Sequence, residues 1–126
     1  MKEDYVSFEI AKLLKEKGFD CPTQYHYCVP DDKYLHECLT RKRLKNSELE
    51  KGYSTPTLQM AMKWLREKYN IHIEVEIYYC EDGQLWLSKI QKIDVANTIL
   101  LKTIMCKSLY EEAVESAIKY CLTNLI

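Results

Sequence analysis

The change of hydrophobic period at Asn70 constrains this chain more than any other feature. Before it, Leu58, Ala61, Met62, Leu65 and Tyr69 recur at helical spacing, with Met60 and Trp64 as a shoulder. After it the period is two. Ile71, Ile73, Val75, Ile77 and Tyr79 point one way, and His72, Glu74, Glu76, Tyr78 and Cys80 point the other. One element cannot carry both periods, so a helix must run almost directly into a long strand. Thr55 suits an N-cap, Pro56 the first helical position where no N–H is needed, and Asn70 a left-handed ending.

The flanking elements follow by the same reasoning. Residues 5–17 read as a first helix with Val6, Ile10, Leu13, Leu14 and Lys17 on one face, and Lys12, Lys15 and Glu16 largely away from it. Asp4 or Ser7 can cap its start, and Gly18 followed by Phe19 suits a Schellman ending. Gln24–Val29 and Tyr34–Leu39 read as two short strands joined through Pro30-Asp31-Asp32-Lys33. Thr40–Tyr53 has no periodic apolar signal and reads as an exposed loop with a helical turn from Ser47.

After the central strand, Asp82-Gly83 supplies a tight turn. Pairing Glu81 with Gln84 sets Tyr79 against Trp86, Ile77 against Ser88 and Val75 against Ile90. On the other face it sets Glu76 against Lys89 and Glu74 against Gln91. A loop at Asp94–Asn97 leads to a third strand, Thr98–Cys106. Ser108 with Glu111 forms a capping-box pattern ahead of a last helix, Leu109–Leu122. Its stripe is Tyr110, Ala113, Val114, Ala117, Ile118, Cys121 and Leu122.

Residues 56–125 therefore have α-β-β-β-α order, preceded by a helix and a hairpin. The expected fold class is α+β: an antiparallel sheet of three strands, five if the hairpin joins it, with helices on one face. The 126 residues fit a single domain, 1–126. A net charge of −1 provides no overall field for a polyanion or a membrane. No apolar run approaches the roughly 20 residues that span a bilayer. The start, MKEDYVSFEI, reads without a basic-then-apolar signal region, so the expectation is a soluble, cytoplasmic chain whose six cysteines are reduced thiols. Ten tyrosines against two phenylalanines suggest rings that keep a wet edge.

Three patterns could carry chemistry. If Cys28 opposes His36 and His26 opposes Cys38, two imidazoles and two thiols share a hairpin face, a zinc donor set. The spacing is not that of a zinc knuckle, and buried cysteines beside half-exposed histidines explain it equally. His72-x-Glu74-x-Glu76 could hold a hard divalent ion for a metal-dependent hydrolase. A solvated sheet face with Lys89 neutralising Glu76 follows from alternation alone. Pro30-Asp31 with Glu74-x-Glu76 is similar to a metal-dependent nuclease pattern, but the lysine two residues after the acid is missing. The basic run Arg41-Lys42-Arg43-Leu44-Lys45 could contact phosphates, making a nucleic-acid-binding module, or could be a solvated loop. The strand order resembles the double-stranded-RNA-binding fold. That fold relies on lysines at the start of its last helix, where this chain has Leu109-Tyr110-Glu111-Glu112. The glycine shortage excludes a phosphate-cradling loop or a glycine-framed nucleophile. No catalytic, cofactor-binding or metal residue is therefore assigned.

Three stretches, VSFEIAKLLKEKGFD at 6–20, YSTPTLQMAMKWLREKYNIHIEV at 53–75 and YEEAVESAIKYCLTNLI at 110–126, carry a resemblance. Together they resemble a family of small uncharacterised proteins from gut Bacteroides-type bacteria and from their phages and mobile elements. The resemblance implies a mobile-element accessory role and brings no activity, cofactor or site residue. The expected function is a non-enzymatic interaction protein. Thr98–Cys106 is apolar on both faces, with Lys102 its sole internal charge, and should be covered by the leading helix or by a second copy in a homodimer.

Overall fold

The computed structural model describes residues 3–28, 35–37 and 43–126; of 35–37, 106 and 107 only the backbone is described. The fold is α+β, with two antiparallel sheets, one in the order Leu35–Glu37, Tyr25–Cys28, Gly52–Thr55 and the other in the order Ile71–Cys80, Gly83–Ile93, Thr98–Lys107. The chain divides into two compact units, Met1–Gln59 and Met60–Ile126, with the division in the first turn of the helix Leu58–Tyr69.

In the first unit, helix α1 (Phe8–Glu16) is capped by Ser7, whose Oγ accepts from the Ile10 N–H at 3.4 Å. It ends in the expected Schellman motif. Gly18 has φ +89°, its N–H reaches the Lys15 carbonyl, and Phe19 N–H reaches that of Leu14. The buried face is Val6, Ile10, Ala11 and Leu14. Strands β1 (Tyr25–Cys28), β2 (Leu35–Glu37) and β3 (Gly52–Thr55) form the first sheet. The hairpin thus sits in a sheet with β3, a strand that the sequence reading treats as the end of a loop and the start of a helix.

Non-local contacts explain β3. Lys15 Nζ donates to the Leu49 and Gly52 carbonyls at 3.1 and 2.7 Å. Buried Asn46, in the 3₁₀ turn Asn46–Glu48, donates to the Phe19 carbonyl at 2.7 Å and accepts from Ser54 N–H at 2.8 Å. A Cβ on Gly52 would lie 2.8 Å from the Tyr27 carbonyl oxygen, so only glycine allows β3 to approach β1 this closely. Tyr27 and Tyr53 each pack edge-on against Phe8, and the Tyr27 hydroxyl donates to the Val6 carbonyl at 2.9 Å. This tyrosine is therefore buried, and its polar tip is satisfied inside the fold.

Helix α2 is Leu58–Tyr69, beginning two residues later than expected. Thr55 and Pro56 stay extended because Val6 N–H donates to the Pro56 carbonyl, Leu58 N–H to that of Asp4, and Tyr5 bridges Thr57. Thr55 therefore ends a strand and does not cap a helix, in keeping with the extended bias of a residue before proline. Leu58, Ala61, Met62, Trp64 and Leu65 are buried. At the other end Asn70 has φ +57°, as its identity predicts, and Lys92 Nζ donates to the Tyr69 carbonyl at 2.7 Å.

The second unit holds β4 (Ile71–Cys80), β5 (Gly83–Ile93), β6 (Thr98–Lys107) and helix α3 (Tyr110–Tyr120). The register of β4 and β5 differs from the expected one by two residues: Cys80 pairs with Gly83, Ile77 with Trp86, Val75 with Ser88 and Glu76 with Leu87. The positive φ falls on Gly83, at +123°, and on neither Glu81 nor Asp82, so the chain turns at Glu81-Asp82 and the glycine is the residue that follows the turn and opens β5. A slip of two preserves every face. The anticipated polar pairs persist as diagonals: Lys89 Nζ meets Glu76 Oε1 at 3.1 Å, and Gln91 Nε2 meets Glu74 Oε2 at 3.4 Å.

Ile71, Ile73, Ser88 and Ile90 are buried on the face where Trp86 packs edge-on against Tyr110 of α3, their centroids 5.4 Å apart. Ala113, Val114, Ala117, Ile118, Cys121 and Leu122 are all buried, as their spacing predicts. The capping box is not formed. Ser108 Oγ bonds Glu112 instead of serving as a cap, and Leu109 takes the N-cap position without a side-chain bond. The helix closes in a π-helical turn, Cys121–Leu125.

Candidate interaction surface

Strand β6 ends the second sheet, and among the described residues no further strand pairs with it. Four of its apolar side chains are open to solvent: Ile99 (53%), Leu100 (55%), Leu101 (39%) and Met105 (47%). An edge strand with this composition exposes both apolar surface and alternate backbone N–H and C=O groups, the two things a partner strand can use.

Two irregularities shape the strand. Ile90 pairs with Lys102 but Gln91 pairs with Leu100, leaving Leu101 as an extra residue. A second shift lies between the Trp86–Lys107 and Ser88–Ile104 pairs. The bulge at Leu101 breaks the expected alternation. Lys102 and Ile104 face α3, whereas Leu100 belongs to the opposite face although it too is even-numbered.

On the α3 side, β6 and the end of the helix enclose an open groove of about 280 Å³. Ile104 forms one wall, and Ser116, Lys119, Tyr120, Thr123 and Asn124 form the other. Thr123 Oγ1 donates to the Lys119 carbonyl, and Asn124 Nδ2 donates to that of Tyr120 at 3.2 Å, so these side chains hold the π-helical turn. Lys102 Nζ lies 5.7 Å from the centroid of the Tyr120 ring. The groove thus has an apolar wall at Ile104 and lysines at 102 and 119 beside it. The two-sided apolarity of β6 is legible in the sequence and gives the expectation of a cover, whereas its apolar side chains are open in this chain; the groove has no sequence signal, because it depends on where α3 stops.

The patterns with metal-ligand residues are arranged differently from expectation. His26 pairs with His36 across the hairpin, and not with Cys38; Cys38 itself lies outside the described residues. His72, Glu74 and Glu76 do share the polar face of β4, where Glu76 is engaged by Lys89 and Glu74 by Gln91. Among the described residues, no three His, Cys, Asp or Glu side chains are grouped to hold a metal ion. Pro30 and Asp31 lie outside the described residues.

Arg41 and Lys42 of the basic run also lie outside them. Arg43 and Lys45 are exposed, while Leu44 is held by a bridge to Thr23. The Lys45 backbone N–H donates to Glu48 Oε1 at 3.1 Å, across the 3₁₀ turn. Next to it, the Ser47 backbone N–H and hydroxyl, with a smaller effect from the Lys45 charge, hold the Asp20 carboxyl below its ordinary range.

No helix among the described residues is long and apolar enough to cross a membrane. No protein family, curated protein or solved structure with which the chain was compared matches it.

Proposed function

We infer that this chain is a small, non-enzymatic interaction protein that works in the cytoplasm as an accessory factor of a mobile element or phage. Its contact surface is β6. The observation that carries this reading is the row of open apolar side chains, Ile99, Leu100, Leu101 and Met105, on the strand that ends the sheet. Water around such a row is released when another chain covers it, and the outer backbone groups of the strand give that chain a register. The mobile-element setting rests on the sequence resemblance alone.

The partner is a protein chain, either a second copy of this one or another protein. Light scattering and apolar-dye binding of the wild type and of Leu100→Lys test the reading together. At tens of micromolar, a dimer that Leu100→Lys dissolves identifies a second copy as the partner. A monomer whose dye binding falls at least twofold in Leu100→Lys leaves the strand open to another protein. Equal oligomeric state and equal dye binding in both would overturn β6 as the contact surface.

A further inference from the structure

The charge around β6 selects among possible partners. From Val95 through Tyr110 the sequence contains no aspartate or glutamate, but it contains Lys102 and Lys107. The adjoining groove repeats the bias: Lys119 is among its lining residues and no carboxylate is. Lys102 leans over Tyr120, which also lines it. A second copy of β6 laid alongside would bring a second Lys102 and no acid from within the strand to meet it; the nearest acids in sequence, Asp94, Glu111 and Glu112, lie beyond its ends.

We propose that β6 and its groove take an extended segment of another protein in which acidic and apolar residues alternate, added to the sheet as a fourth strand. This rests on the reading of β6 as the contact surface and specifies what binds there. Main-chain hydrogen bonds to the outer edge of β6 give the segment its register. Alternation sends every second side chain of the segment toward α3, where carboxylates meet Lys102 and Lys119 and the adjacent methylenes cover Ile104. The remaining side chains, on the other face, lie beside Leu100. A groove of about 280 Å³ admits a few side chains and not a folded domain. The complex is therefore expected to be weak and salt-dependent.

The test uses fluorescence anisotropy of the full chain with a labelled ten-residue peptide alternating Glu and Val. Three comparison peptides alternate Lys and Val, carry proline at every second Val of the acidic sequence, or scramble the acidic composition. The acidic peptide should bind in the micromolar range, weaken with salt, and outbind the lysine peptide and the proline peptide, which lacks the N–H groups a strand must donate. Lys102→Glu should weaken the acidic peptide about three- to tenfold and strengthen the lysine peptide, with Lys119→Glu acting in the same direction. Both variants are checked for an unchanged thermal midpoint, and the charge reversal separates recognition from damage to the fold.

Binding that ignores the sign of the peptide, or that the proline and scrambled peptides match, overturns the proposal. So does a labelled single-stranded oligonucleotide that outcompetes the acidic peptide, since that assigns the lysines to phosphate. A chain that self-associates through β6 yet ignores the acidic peptide keeps the interaction reading and loses this one. A monomer indifferent both to the peptides and to Leu100→Lys loses both.

Discussion

Single residues in this chain show what burial costs polar atoms. Ser88 is fully buried beneath α3, and among the described residues its hydroxyl has no hydrogen-bond partner. A buried hydroxyl without a partner loses its water without replacement, a penalty of about 1–3 kcal/mol. Ser88→Ala removes the hydroxyl at little change in shape, so the urea midpoint should rise by an amount corresponding to about 1 kcal/mol. A fall would show that the hydroxyl has a partner after all. Cys121 is the other instructive case. Burial pushes its thiol up to about 12, because a thiolate there would lose its hydration. The neutral thiol contributes stability that is fully present below the ordinary value of 9 and is lost as pH rises from there through about 12. At pH 8, therefore, a thiol reagent should label exposed Cys80 promptly and Cys121 only after denaturant is added. Rapid labelling of Cys121 in the native protein would contradict its placement.

At the scale of elements, the β4–β5 hairpin turns on one glycine. A Cβ at Gly83 would meet nothing within 4 Å, so any penalty there is conformational and not steric. Its φ of +123° is one that a β-branched residue adopts poorly. Gly83→Val should cost about 1 kcal/mol or more, and Gly83→Asn should cost less, because asparagine tolerates positive φ better. Equal midpoints for all three proteins would mean that the turn lies elsewhere. Much of this element is legible in the sequence: the faces of β4 and β5 follow from alternation, and the left-handed Asn70 from its place after the helical stripe. The register is not. Glu81, Asp82 and Gly83 support two turns that place the same residues on the same faces, and local composition does not separate alternatives differing by an even number of residues.

For the whole molecule, the consequence of a terminal strand is a gradient of protection. Amides at the centre of β5, around Leu87 to Ile90, have strands on both sides. The outward-facing amides of β6 have a described strand on one side only. In dilute solution, hydrogen exchange of those outer amides should be at least tenfold faster than at the centre of β5. Protection of β6 equal to that of β5 would show that another chain already covers it, and raising protein concentration would then change nothing.

The sequence by itself determined the three helices, the strands β4 to β6 and the buried faces of α2, α3, β4 and β5. Those properties depend on neighbours three or four apart in a helix and two apart in a strand, and on caps such as Ser7, Gly18 and Asn70 whose chemistry is local. Tertiary structure decided the rest. Thr55 and Pro56 are extended because Asp4, Tyr5 and Val6 reach across to them, and β3 exists because Asn46, Lys15 and glycine at 52 let it lie against β1. The bulge at Leu101 turns Lys102 toward α3, and the end of α3 makes the groove that has lysines at 102 and 119 beside it. Each is a contact between residues far apart in sequence. Its free energy depends on the fit of surfaces that exist only once the chain has folded, so no window of the sequence contains it.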